Sequence, residues 1–90
     1  MMSELKALVD MLNAHLSKKE MELSSQENYD SYTKSEIENR EKDINAFAVA
    51  AESATTDPTL KQDVIINFTK GAYSIISDID KIKNGTIISH

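Results

Sequence analysis

From Met2 to Ala51 the apolar residues keep a seven-residue phase. The a and d positions hold Met2, Leu5, Val9, Leu12, Leu16 and Leu23, then Ile37, Ile44, Phe47 and Ala51. After a stop at Thr55-Thr56-Asp57-Pro58 a second stripe begins: Ile65, Phe68, Ala72, Ile75, Ile79, Ile82. Apolar residues three and four apart share one side of an α-helix, and such a stripe is stabilised by packing on another helix. The pattern predicts an all-α fold. It places a single domain over residues 1–90, a small three-helix up-down-up bundle with helices at about 3–23, 35–53 and 58–84 and a tail at 86–90. Val64-Ile65-Ile66 and Ile75-Ile76 widen the last stripe beyond what one neighbour covers, which predicts a central third helix.

The first boundary rests on Ser24–Thr33, a stretch without an aliphatic residue, whose Ser, Asn and Asp side chains compete for backbone hydrogen bonds. It predicts a break, with a restart at a capping box formed by Thr33 and Glu36 or by Ser35 and Glu38. The heptad phase continues across this stretch and supports an alternative, a long helical hairpin that oligomerises, with residues 3–53 as one helix. Ser3 is placed as the first N-cap. Pro58 suits the first position of the third helix, capped by Asp57 or Thr56. Lys81 and Lys83 would complement that helix's dipole, and Gly85 would take the left-handed position after its end. The small apolar run Ala46–Ala51 predicts the tightest helix crossing, and Gly71 beside Ala72 a second close contact.

Ninety residues bury a small core, and with few aromatics and no Trp that core is mostly aliphatic. Its stability should be modest, which favours a homo-oligomer, a dimer or higher. There is no Cys, so neither disulfides nor thiolate metal sites enter. Met1–Leu16 is broken by Glu4, Lys6 and Asp10 and does not form the apolar core of a signal peptide. No apolar run is long enough to span a membrane, so a cytoplasmic location without membrane contact is expected. The net charge is −5, and ten acidic residues between Glu20 and Asp57 face only Lys34, Arg40 and Lys42. Such a field repels phosphate backbones, so direct nucleic-acid binding is disfavoured and a basic protein partner is favoured.

Candidate chemistry is sparse. His15 and His90 are the only imidazoles, and His15 beside Leu16 reads as a helix-boundary residue. Glu20/Glu22 and Glu36/Glu38 are two apart and do not share a helix face. No set of side chains suggests catalysis, a metal or a cofactor, and the sequons at Asn67 and Asn84 read as incidental. What remains is Tyr29 and Tyr32, set among Glu27, Asp30, Glu36, Glu38 and Glu41. Tyrosines among acids resemble interface anchors, and the alternative is that the rings pack on the bundle end.

Asp57-Pro58-Thr59-Leu60, followed by an amphipathic helix, resembles the turn of needle and inner-rod subunits of type III secretion systems. The resemblance covers about residues 55–82. The Tyr- and Gln-rich pattern those subunits carry after the turn is not reproduced here. It implies a structural subunit or chaperone of a secretion-type helical assembly. The residues themselves favour a non-catalytic protein–protein interaction module, an adaptor, small chaperone or inhibitor presenting an acidic helical surface. A further alternative is an acidic nucleic-acid mimic that inhibits a DNA- or RNA-binding protein.

Overall fold

Four leucines on one stripe, Leu5, Leu12, Leu16 and Leu23, are buried along a helix that meets neither Gly nor Pro. This is α1, Ser3–Ser24, in a computed structural model that describes residues 3–84. It ends where the serines begin: the hydroxyls of Ser24 and Ser25 donate to the carbonyls of Met21 and Glu22. Those bonds compete with further helix. Residues 25–30 form a turn in which Gln26 N–H donates to the Leu23 carbonyl and Tyr29 N–H to that of Gln26. The chain therefore breaks here, as its composition predicts, and α1 packs against the following helix. The shared heptad phase reflects two separate stripes, since the intervening slots Gln26 and Asp30 lie outside both helices.

The second helix, α2, spans Ser31–Ala54 and starts four residues before the predicted Ser35. Asp30 sets that start. It is extended (φ −118, ψ 178), and its Oδ1 accepts the Thr33 N–H at 2.8 Å. Thr33 and Ser35 are inside the helix and cap nothing at its start. At the other end Thr55 and Thr56 donate their hydroxyls to the Glu52 and Ser53 carbonyls.

The third helix, α3, spans Gln62–Asp80 and is shorter than predicted at both ends. Pro58 is not its first residue, because Asp57 is engaged in the turn. The Asp57 Oδ1 accepts Thr59 N–H at 2.8 Å and the Thr59 hydroxyl at 2.7 Å, and Leu60 N–H donates to the Asp57 carbonyl. An Asx turn of this kind delays helix entry. Lys61 then takes the N-cap position without a side-chain cap. At the C-terminal end Lys81 and Ile82 close the helix with tight turns onto Asp78 and Ile79. Asn84 instead reaches back to α1, its Nδ2 donating to the Leu23 carbonyl at 2.8 Å and to Gln26 Oε1 at 3.0 Å. Lys81 and Lys83 consequently follow the last turn and do not sit in it. Gly85 and the tail at 86–90, like Met2, lie outside the described residues.

The core joins Leu12, Leu16 and Leu23 of α1 to Ile37 and Ile44 of α2 and to Ala72, Ile79 and Ile82. All three helices pack on one another. The most extensively packed is α1 and not the Ile-rich α3, and the α2–α3 contact is the smallest of the three. The reason is visible at the run Ala46–Ala51. Only Ala51 is fully buried and Val49 is 70% exposed, while Phe47 meets Phe68 edge to face at 5.4 Å. The α2–α3 contact at this run is therefore made by the Phe47–Phe68 ring pair and Ala51, and not by the alanines as a group. A Cβ at Gly71 would lie 3.7 Å from the Phe47 ring, an ordinary contact, so steric crowding does not require glycine there.

Candidate interaction site

The chain turns into α2 through Tyr29, Asp30 and Tyr32, and it uses the three in different ways. Tyr29, in the connector, is half-buried and packs against the core. Asp30 is taken up by the cap: Thr33 donates to it from both backbone and hydroxyl, and these bonds hold its carboxyl below the usual 3.8. Tyr32, in the first turn of α2, keeps an exposed ring. Hydrogen bonding to the Glu36 carboxylate, and its negative charge, raise the phenol above its ordinary 10.0. The two tyrosines therefore do not form one aromatic patch.

Glu36 is half-buried, and one turn further along the same flank stands Arg40. Arg40 reaches Asp43 on its own helix (Nε to Oδ2 3.3 Å) and Asp78 of α3 (Nη1 to Oδ2 3.5 Å). Tyr32, Glu36, Arg40 and Asp78, with Lys81, Ile82 and Lys83, line an open groove of about 240 Å³. Both signs of charge line its walls. The remaining acidic candidates are placed elsewhere. Glu27 is exposed in the connector. At about 3.6 residues per turn, Glu38 points outward and Glu41 falls on the flank of α2 opposite Glu36. Tyr32 and Glu36 are thus brought together, and Glu38 and Glu41 are not.

Arg40, Asp78 and Lys81 are groove residues that the linear pattern did not mark as interaction candidates. Arg40 carries a signal in retrospect, because a charged residue occupies the heptad slot between Ile37 and Ile44. Asp78 and Lys81 arrive from another helix, and nothing local to Tyr32 announces them. On the opposite flank of α3, Asp80 holds His15 Nε2 at 2.7 Å and fixes α1 to α3. Among the described residues no three His, Asp or Glu side chains converge as a metal site, and no helix is long and apolar enough to cross a membrane. Comparison with protein-family models, with curated proteins and with solved structures finds no match to this chain.

Proposed function

We propose that this protein is a non-catalytic interaction module that docks a basic protein partner on the Tyr32 end of α2. The observation that carries this reading is Tyr32, 38% exposed on the lining of a mixed-charge groove beside the Glu36 carboxylate. A tyrosine is a good anchor: it offers a large contact area at low entropic cost when a partner covers it. Glu27, Glu38 and Glu41, exposed on other sides of the connector and α2, add to the long-range negative field. Such charges accelerate encounter with a cationic surface more than they tighten the final complex.

The test is site-specific photo-crosslinking in cell extract, with the probe at the exposed Ser35 beside Tyr32 or, as a control, at the exposed Asn13 of α1. The expected result is a discrete adduct from position 35 that is absent from position 13 and weakens with added salt. Identical adduct patterns from both positions would remove the reading.

A further inference from the structure

Asn84 lies beyond the end of α3 and is half-buried against the end of α1. Its side chain is held through a single atom. Nδ2 donates to the Leu23 carbonyl at 2.8 Å and to Gln26 Oε1 at 3.0 Å. Oδ1 is buried and accepts no hydrogen bond from the described residues. The partner fixes which atom is which, since a backbone carbonyl can only accept.

Of the six asparagines in the chain, Asn84 alone precedes a glycine. Without a Cβ beside it, a glycine nitrogen is the least hindered backbone nucleophile that an asparagine side chain meets. Loss of the amide then needs no reagent but water. The Gly85 nitrogen bonds to Asn84 Cγ, the Cγ–Nδ2 bond breaks, and Nδ2 leaves as ammonia, taking the Gly85 amide proton. Water opens the resulting five-membered imide at either carbonyl and leaves aspartate or isoaspartate. The other asparagines are worse placed. Asn13, Asn39, Asn45 and Asn67 lie inside helices, where the next residue's N–H is committed to the helical ladder. Asn28 is in the connector, but Tyr29 follows it, and the Tyr29 N–H donates to the Gln26 carbonyl.

We propose that Asn84 is a site of spontaneous deamidation, and that its conversion unties the chain after α3 from the end of α1. The atom that leaves is the atom that makes both bonds. The carboxylate that replaces the amide has two acceptor oxygens and no donor. It faces the oxygens of Leu23 and Gln26, and turning it over restores nothing. It also stands at the C-terminal end of α1, where the helix dipole disfavours negative charge. Isoaspartate adds a methylene to the main chain at the same point and displaces the carboxylate further.

The test holds the full chain at mildly alkaline pH and body temperature and locates the product by mass spectrometry after digestion in acid. The expected result is a gain of one dalton, NH2 exchanged for OH, at Asn84 before any other asparagine. Gly85→Ala, which places a Cβ beside the attacking nitrogen, should suppress that gain. Converted chains, separated by their added negative charge, should melt about 4–8 °C below unconverted ones, the shift of one lost tie in a domain of this size. Asn84→Asp should show the lower melt without incubation. If Asn84→Asp does not fold, Asn84→Ala takes its place: it loses both bonds without gaining charge, and should melt between the parent and the converted chain. A gain that appears first at another asparagine, or that is undiminished in Gly85→Ala, would overturn the site. Converted chains that melt with the parent would overturn the untying.

Discussion

Thr33 directs both of its hydrogen-bond donors, the backbone N–H and the hydroxyl, to a single carboxylate oxygen of Asp30, each at 2.8 Å. Thr33 is fully buried, in a heptad slot otherwise suited to an aliphatic residue. A buried hydroxyl without a partner is costly. Asp30 therefore performs two tasks: it starts α2 and it satisfies the polar group that closes this end of the core. The first turn of α2 depends on that carboxylate.

Acid stability should report this directly. Asp30 has a folded value below 3.8, so its ionised form is favoured by folding. The contribution is complete above 3.8 and is lost as pH falls through the lower folded value. Asp57, lowered by its bonds from Thr59, acts in the same direction. Asp30→Ala should lower the melting temperature at neutral pH by about 4–8 °C, the effect of one lost cap in a domain of this size. Asp30→Asn keeps an acceptor and should melt nearer the parent at neutral pH, with a shallower decline in acid. Melting curves from pH 7 to pH 2 distinguish the three proteins. Superimposable acid limbs for parent and Asp30→Asn would contradict the assignment.

The alkaline side has its own reporter. The Tyr32 phenol stays protonated above 10.0 because it donates to the Glu36 carboxylate. Its folded value is raised, so the stabilisation is present below 10.0 and is lost as pH rises through the folded value. In an NMR titration the Tyr32 ring should move at higher pH than an isolated tyrosine. Glu36→Gln, which removes the negative charge, should bring it back toward 10.0. A Tyr32 titration that is indifferent to Glu36→Gln would mean that Glu36 is not the group that raises the phenol.

Helix class and number were legible because each buried stripe is long and regular: Leu12, Leu16, Ile37, Ile44, Ala72 and Ile79 are core residues in the structure and stripe residues in the sequence. The boundaries were less legible, for a specific reason. Asp57 can cap a helix at Pro58 or close a turn on Thr59, and the sequence Asp-Pro-Thr fits either. Thr59 decides it by supplying two donors at once. At α2 the polar Ser24–Thr33 stretch hid Asp30 among several equivalent capping residues. Only the burial of Thr33 distinguishes it, and burial is a tertiary fact. The groove was half legible. Tyr32 and Glu36 are neighbours on one helix, whereas Asp78 meets Arg40 only once α3 has folded back.

The alanine run of α2 gives a packing test in which two neighbouring residues should behave differently. Ala51 is fully buried, and Ala48 lines an open groove with Val49 and Glu52. Ala51→Leu should cost about 1–3 kcal/mol, since extra methylenes there force displaced side chains. Ala48→Leu should be nearly neutral. Thermal melts of the two variants, measured in dilute solution, should separate clearly. Equal destabilisation would mean that the second half of α2 is covered more completely than the structure shows.

Tyr29 and Tyr32 differ in a way that lets function be separated from stability. Tyr29 is half-buried against the core cluster, and Tyr32 is the more exposed of the two, at 38%. Tyr29→Ser removes a packed ring and should cost about 1–2 kcal/mol, less than a full aromatic truncation because the residue is only partly covered. Tyr32→Ser loses a hydrogen bond at the surface and should melt close to the parent. The crosslinked partner reverses the order: Tyr29→Ser, wherever it remains folded, should still bind, and Tyr32→Ser should not. Binding assays must therefore be run below the melting point of Tyr29→Ser, with helical signal recorded on the same samples. Loss of binding in both variants would assign recognition to the whole connector. Retention in both would leave Tyr32 as an exposed ring without a binding role and move the search for the partner surface to Glu38 and Glu41.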